Sequence, residues 1–390
     1  MLQRDDEIHD VAVVGAGPAG SSAARAAALA GARTLILDRA RFPRYKTCGG
    51  GLIGATLAHL PDDLDLPVQQ RIDRVVLSCR GRRETTRSAD RPVLTLVNRS
   101  ELDERLLASA ARAGAEVRQG VAVTAVTERD DHVELTTADG PVRARWVVGA
   151  DGSTSRIGRY VGVQLAQTDL GLEVELDPGE QAERWKGRLA LDFGGERGAY
   201  AWVFPKDGAL TVGVIMAKGA PEQTRRYLAE FIAQHGLDGL AELRSSGHLT
   251  RCRTPDSPLG RGRVLVAGDA AGLLEPWTRE GISYAVRSGL LAGAAAASGT
   301  TAPSGGSAPE AVLAAYTRDI GAVLAREMAA GAALLATFER WPGLMVRVLT
   351  TGPWGWRAFR AITTGDATLE RLVRRRTARV GLAALGRIVS

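Results

Sequence analysis

The stretch Gly15-Ala16-Gly17-Pro18-Ala19-Gly20 constrains this chain more than any other, because of what stands on either side of it. Before it, Val11 to Val14 is a short apolar run suited to a buried parallel strand. After it, Ala-rich residues 18–30 suit a helix that Gly31 can stop. Thr34 to Leu37 then predicts a second strand, ending at Asp38. Strand, glycine turn, helix and strand make the βαβ unit that binds dinucleotides. In that unit the first glycine permits the tight turn, the second lets backbone approach a pyrophosphate, and the third lets the helix pack on the strand. The helix N-terminus presents free N–H groups to the anion. Gly15, Gly17, Ala19 and Gly20 are therefore candidate cofactor contacts. Asp38 joins them, eighteen residues after Gly20, where an acid accepts bonds from ribose hydroxyls. Arg39, next to it, would suit a 2′-phosphate, so the turn alone does not separate FAD from a nicotinamide dinucleotide.

Two distant segments favour a flavin. Gly149-Ala150-Asp151-Gly152-Ser153 follows a Val-rich strand end, and Gly268-Asp269-Ala270-Ala271-Gly272 follows the apolar run Val264–Ala267. Each places an acid between glycines at the carboxyl edge of a sheet, where open α/β sheets bind ligands. Asp151 and Asp269 there can fix ribityl or ribose hydroxyls. A helix expected to begin near Ala270 would aim its positive end at a pyrophosphate or an anionic reduced ring.

The rest of the pattern predicts an α/β protein. A Rossmann-type FAD-binding domain is assembled from discontinuous segments, at 1–80, 98–165 and 262–300. An antiparallel-sheet substrate domain is expected at 81–97 and 166–261, and a helical region at 301–390. Within this frame residues 100–113 read as a helix capped by Ser100 and stopped by Gly114. Val121–Glu128, His132–Thr137 and Val142–Val148 read as a meander turned at Asp139-Gly140. Leu170–Leu176, Arg188–Phe193, Tyr200–Phe204 and Leu210–Met216 alternate as strands, and Pro221–Gln234 as a helix. Residues 299–308 are a low-complexity loop.

Charge and cysteine usage narrow the setting. The net charge is +6, yet residues 340–390 alone carry ten Arg against Asp366 and Glu370, so the body is slightly acidic. That distribution argues against a nucleic-acid surface. Arg371, Arg375 and Arg379 recur at i, i+4 opposite Leu369, Leu372, Val373 and Val380, with Trp341, Trp354, Trp356 and Phe359 upstream. Such a basic, aromatic tail suits peripheral docking on anionic lipid. Cys48, Cys79 and Cys252 show no paired spacing, which fits a reduced, cytoplasmic setting. The acidic start lacks the apolar core of a signal peptide. The longest uncharged apolar stretches, near 289–300 and 328–338, fall short of the roughly 20 residues of a spanning helix. The five histidines have no ligand spacing, so no metal is expected.

The order of the glycine turn, Arg99, Asp151-Gly152 and Gly268-Asp269 resembles the FAD-dependent hydroxylase and reductase superfamily, with its glutathione-reductase-like FAD domain, over roughly residues 9–300. The resemblance implies that Asp38 holds the adenosine ribose, Asp269 the ribityl chain, and Arg99 a phosphate or ribityl group. Three further stretches resemble the geranylgeranyl reductase branch. One is the loop Ala40-Arg41-Phe42-Pro43-Arg44-Tyr45-Lys46-Thr47-Cys48-Gly49-Gly50-Gly51. The second is Tyr200-Ala201-Trp202-Val203-Phe204-Pro205, and the third runs from Leu274-Glu275-Pro276 to Glu280-Gly281-Ile282. By that resemblance Gly281 and Ile282 lie beside the flavin, and Tyr200, Trp202, Phe204 and Pro276 meet the substrate. The implied reaction is saturation of C=C bonds in an isoprenoid chain. At Trp277-Thr278-Arg279 the chain departs from the small, Gly-containing stretch of that branch, and the bulk there would reshape the pocket near the flavin.

The chemistry suits the residues. An unactivated alkene needs hydride, a nearby proton donor and tight positioning. Cys48, beside three glycines, is the candidate catalytic proton donor, with water as the other source, and a small apolar filler is its structural reading. Arg44 and Lys46 would meet a diphosphate head group or stand solvated. With no second glycine-rich dinucleotide turn and no Cys-x-x-Cys pair, the reductant is expected to be NADPH binding transiently or a protein electron donor. The alternative is an FAD-dependent monooxygenase or halogenase acting on a small aromatic or polyketide-type substrate. A halogenase would carry Trp-x-Trp-x-Ile-Pro, whereas Trp354-Gly355-Trp356 is followed by Arg357-Ala358.

Overall fold

The computed structural model describes residues 8–300 and 309–374. Five mutually parallel strands form the floor of the first layer, in the order Val264–Val266, Gly140–Gly149, Ile8–Val14, Thr34–Asp38 and Glu116–Gln119. Their inner residues, Val11, Val13, Leu35, Ile36, Val147 and Leu265, are fully buried, as expected of strands covered on both faces. Ala125–Glu128 and Val133–Thr137 extend this sheet as the antiparallel meander expected, turned at Gly140 with φ +109°. The edge strand Glu116–Gln119 has polar residues at alternate positions, and hydrophobic pattern alone does not reveal it.

Two helices pack on this floor almost backbone to backbone. Pro18–Leu29 meets Ile282–Ser298, and a Cβ on Gly289 or Gly293 would lie 2.2 or 2.1 Å from the carbonyls of Ala19 or Ala23. The Ala-rich composition of both helices is thus a packing requirement. The second helix begins at Ile282 rather than near Ala270. Gly268–Ala271 is a single 3-10 turn, ended by Gly272 at φ +66°, after which the chain runs extended to Pro276. The helix at Arg99–Arg112 likewise starts earlier than expected: Asn98 occupies the cap position, with its amide donating to Glu101, and Ser100 lies inside.

The second layer is a seven-stranded sheet, in the order Glu242–Arg253, Leu165–Leu176, Ala209–Ala217, Tyr200–Lys206, Arg188–Phe193, Arg74–Cys79 and Arg82–Ser88. All its pairings are antiparallel except Arg188–Phe193 with Arg74–Cys79. Residues 74–79, grouped by sequence with the FAD-binding half, therefore pair within the substrate-side sheet. A small sheet of Gly51–Leu52, Leu94–Val97 and Val68–Ile72 joins the layers.

Helices follow from Pro309. The run Pro309–Arg340 is 32 residues long and apolar enough to cross a membrane by length and composition, although no single uncharged stretch in it reaches that length. One stripe of it, Val312, Tyr316, Ile320, Leu324 and Met328, packs into the core of the first layer, and the Tyr316 hydroxyl donates to the Val266 carbonyl at 2.8 Å. Residues 301–308 and the tail beyond Arg374, with Arg375, Arg379 and Val380, lie outside the described residues.

Candidate functional site

The glycine turn is built as its spacing requires. Gly15 has φ +99°, and a Cβ there would stand 2.3 Å from the Ala150 carbonyl. A Cβ on Gly20 would stand 1.7 Å from the Gly15 carbonyl. Gly17 is the N-cap of Pro18–Leu29, and no side chain caps that helix. Its first-turn N–H groups thus keep their donors for an anion. Asp38 closes the unit: its carboxylate accepts from the Ala16 amide at 2.7 Å and the Ala40 amide at 2.8 Å. Arg39 is exposed beside it.

The two glycine-flanked acids part company. Asp269 is partly exposed and accepts from Ser153 Oγ at 2.9 Å, with His248 Nε2 at 3.7 Å. Burial would raise its carboxyl, but the His248 bond, the Lys46 charge and the Ser153 hydroxyl outweigh it and hold the group below the usual range. Asp151 instead turns back on its own chain. Its carboxylate takes the Arg156 amide at 2.6 Å, the Ile157 amide at 3.3 Å and the Ser155 hydroxyl. It braces the start of the helix Arg156–Val161, whose cap residue is Ser155. Gly152 there is at φ +80° with open space where a Cβ would be.

Arg99 forms a fork with Asp103, at 2.8 and 2.9 Å, and Arg44 reaches the same carboxylate at 3.1 Å. Burial disfavours the Arg99 charge, yet Asp103 and the nearby Cys48 more than offset that and push its pKa up. Among the described residues Lys46 has no such ion-pair partner, and burial together with Arg99 lowers its pKa. Gly268, at φ +57°, donates its amide to Ser288 Oγ, while Gly281 caps the helix whose first residue, Ile282, is buried.

Between the layers lies a cavity of about 520 Å³. Cys48, Gly49 and Gly50 line one side, and Tyr200, Trp202 and Phe204, at alternate positions of one strand, line another. The glycines of the loop are required here. A Cβ on Gly49 would press 2.7 Å from the Phe204 ring, and Gly50, at φ +73°, lies against the Val97 carbonyl. The Gly50 amide points at Cys48 Sγ, 3.4 Å away, and Lys206 Nζ donates to the Cys48 carbonyl at 3.5 Å. Phe359, Ile362 and Leu369 of the last described helices form the far wall. Pro276, expected at the substrate, is buried with its carbonyl accepting from Gln167, and its neighbour Trp277 takes the lining position.

The departure at Trp277-Thr278-Arg279 is explained by what it builds. Trp277 packs on Phe193 and Phe338, with ring centroids at 6.3 and 4.6 Å. Arg279, at φ +56°, pairs with buried Asp169 at 3.0 Å and donates to the Trp277 and Gly198 carbonyls. Glu275 accepts from the Trp277 amide at 3.0 Å and from Thr278, and the Tyr200 hydroxyl donates to the Thr278 carbonyl. Burial raises the Tyr200 and Glu275 pKa values, and pushes that of Glu280 up to about 7. Among the lining residues not expected from sequence, Glu173 hides in an alternating strand, Glu280 in an irregular turn, and His248 in a mostly polar strand, Glu242–Arg253; Trp277, noted in sequence only as a departure, also lines the cavity.

FAD fits these residues. An uncapped helix start, a carboxylate at the end of the second strand, the open Gly152 and the cations Lys46 and Arg99 suit its pyrophosphate and sugar parts. An apolar chamber opens next to them. Fold and site together define an FAD-dependent oxidoreductase with a Rossmann-type cofactor layer. An FAD binding domain model matches residues 9–176. Digeranylgeranylglycerophospholipid reductase 3 of Methanosphaera stadtmanae is 31% identical, over 74% of this chain and 77% of its own. Geranylgeranyl diphosphate reductase of Rhodobacter capsulatus is 31% identical over 74% and 75%. Menaquinone reductase of Mycolicibacterium smegmatis is 30% identical over 93% and 92%. Among solved structures, a geranylgeranyl bacteriochlorophyll reductase-like protein from Thermoplasma acidophilum shares the fold at TM-score 0.75, with 21% identity over 94% and 98%. A flavin-dependent brominase shares it at TM-score 0.76, with 18% identity over 98% and 100%. The chain belongs to the geranylgeranyl reductase family of FAD-dependent oxidoreductases.

Proposed function

We propose that this protein saturates C=C bonds of an isoprenoid chain, whether a geranylgeranyl group, a lipid or a menaquinone side chain. The observation that carries the reading is the cavity, mostly apolar in its lining, with Cys48 on the wall beside the cofactor layer. Its volume of about 520 Å³ lies within the range of roughly 300–1,000 Å³ usual for small-molecule sites. When bound and reduced, FAD supplies the hydride. The chain's own residues do the rest. Trp202 and Phe204 hold the flat alkene by their ring faces, and the apolar walls keep water from the reacting carbons. Cys48 Sγ holds the proton for the second carbon, fixed in place by the Gly50 amide. Gly15, Gly17, Ala19, Gly20, Asp38, Arg99, Gly268, Asp269, Gly281 and Ile282 hold the cofactor.

NADPH or a protein donor supplies the electrons, and the protein works at the cytoplasmic face of a membrane. Trp354, 76% exposed, stands with Arg357 at 5.8 Å on the helix Pro353–Thr363, which supports contact with anionic lipid. Cosedimentation with phosphatidylglycerol vesicles, lost on Trp354→Ala, tests that contact.

The fold is also that of the brominase, which alone would suit oxygen-dependent chemistry. Trp354 is exposed and Trp356 is buried in a core cluster, so the pair lines no shared active-site face. The protein reduced with dithionite under nitrogen and given geranylgeranyl diphosphate or a menaquinone yields saturated product by mass. A product that forms only with oxygen rejects the reductase reading. Cys48→Ala lowers the anaerobic rate by about 100-fold, in the range of general acid catalysis; an unchanged rate removes Cys48 from the reaction.

A further inference from the structure

Reducing an alkene consumes one proton for every hydride, and the walls around Cys48 are apolar on most sides. Four acids line the cavity, Glu173, Glu275, Glu280 and Glu327, and one of them stands apart. Glu173 stands in the strand Leu165–Leu176, opposite Gly213 on one neighbouring strand and Ser246 on the other. It is 2% exposed, and it lines the cavity with Cys48, Trp202 and Phe204. Among the described residues neither carboxylate oxygen has a partner at full hydrogen-bond geometry, although the Cys48 amide and Lys206 lie close enough to favour its charge. The other acids at the site have work to do: Asp169 holds Arg279, Glu275 holds the Trp277-Thr278 turn, Asp269 holds Ser153, Glu280 takes the Ser283 amide at 2.7 Å, and Glu327 pairs with Arg287 at 3.2 Å. A buried carboxyl without a structural partner is costly to ionise. Burial holds a proton on it more firmly than on an exposed acid, and the cavity is where that proton can go.

We propose that Glu173 is the internal acid of the cavity, supplying through the Cys48 thiol the proton that alkene reduction consumes. This rests on the isoprenoid-reductase reading. As the π bond breaks, one alkene carbon gains hydride from the reduced flavin, and the other gains the proton of Cys48 Sγ–H. The thiolate takes a proton from the Glu173 carboxyl, and the resulting carboxylate takes one from water when product leaves. The alkene is reduced by two electrons, the flavin is oxidised by two, and sulfur and carboxyl end as they began. Five groups face Glu173. Lys206, Lys46 and the Cys48 amide favour its charge, while Glu175 and the Tyr45 phenol do not. Burial is the largest influence and carries the carboxyl up to about 7.

The test is anaerobic single turnover: dithionite-reduced holoenzyme is mixed with geranylgeranyl diphosphate or a menaquinone, and flavin reoxidation is followed by absorbance. For the wild type the rate falls as pH rises through about 7. Glu173→Gln reoxidises more than about 10-fold more slowly, with a flat pH profile and an unchanged substrate dependence. The double variant Cys48→Ala/Glu173→Gln is no slower than the slower single one, because both stand in one relay. Glu173→Asp, the milder change, binds flavin normally and keeps a pH-dependent rate with its midpoint moved. A Glu173→Gln enzyme with wild-type rate and profile, additive losses in the double variant, or an unmoved Glu173→Asp midpoint overturns the proposal. A wild type that does not reoxidise with either substrate overturns the reductase reading as well.

Discussion

Gly49 and Gly50 show how little room the loop beside Cys48 has. Alanine at Gly50 must adopt φ +73° and place its Cβ 2.0 Å from the Val97 carbonyl. Gly50→Ala is expected to cost about 1–3 kcal/mol and to misplace Cys48, because the Gly50 amide orients the thiol. Chemical denaturation and the anaerobic rate read the two effects. Glu173 makes a prediction of a different kind. Its folded pKa, about 7, stands above the ordinary carboxyl value of 4.5, so the unfolded chain binds fewer protons between those pH values. Stability then falls as pH rises through that window. Glu173→Gln should be more stable than wild type above pH ~7, by at most about 3 kcal/mol, and the gap should close below pH ~4.5. Thermal melts at the two ends of the window check the sign.

At the scale of elements, the turn from Leu274 to Gly281 is held by buried charge. Removing Arg279 leaves Asp169 almost fully buried without its ion pair, which typically costs about 3–5 kcal/mol. Arg279→Met is therefore expected to loosen the turn and release Trp277 from Phe193 and Phe338, seen as a change in tryptophan fluorescence with a fall in stability. Elements were also where sequence reading had its clearest successes and failures. The first strand, the glycine turn, the first helix, Arg188–Phe193 and Pro221–Gln234 were legible, because each has an unbroken period and a clear stop. Glu242–Arg253 was not, because an edge strand with one side open to water carries little apolar signal. Asp151 was legible as a glycine-flanked acid at a sheet edge, but nothing in its neighbours announces that it also takes the Arg156 and Ile157 amides. Glu173 was hidden by the same alternation that marks its strand: an acid at every second position reads as a wet face, and only the loop around Cys48, far away in sequence, makes that face dry.

For the whole molecule, the proposed reaction and the proposed substrate length fall to different parts of the chain. The cofactor turn, Cys48 and the Tyr200–Phe204 strand belong to the two sheet layers, whereas Phe359, Ile362 and Leu369 come from the last helices. Widening the far wall with Phe359→Ala and Ile362→Ala is expected to raise KM for the isoprenoid by about 10-fold while leaving FAD binding and the rate at saturation nearly unchanged. Equal losses in both kinetic parameters would mean that these helices also hold the reacting centre.

The far wall meets the loop of Cys48 at a pair of glycines: Gly54 lies so close to Thr364 and Gly365 that a Cβ on it would stand 2.1 Å from the Thr364 carbonyl. Residues from the start and the end of the chain thus close one rim. The closing of that rim waits on the last described helices, long after the residues that line the cofactor layer in the sequence.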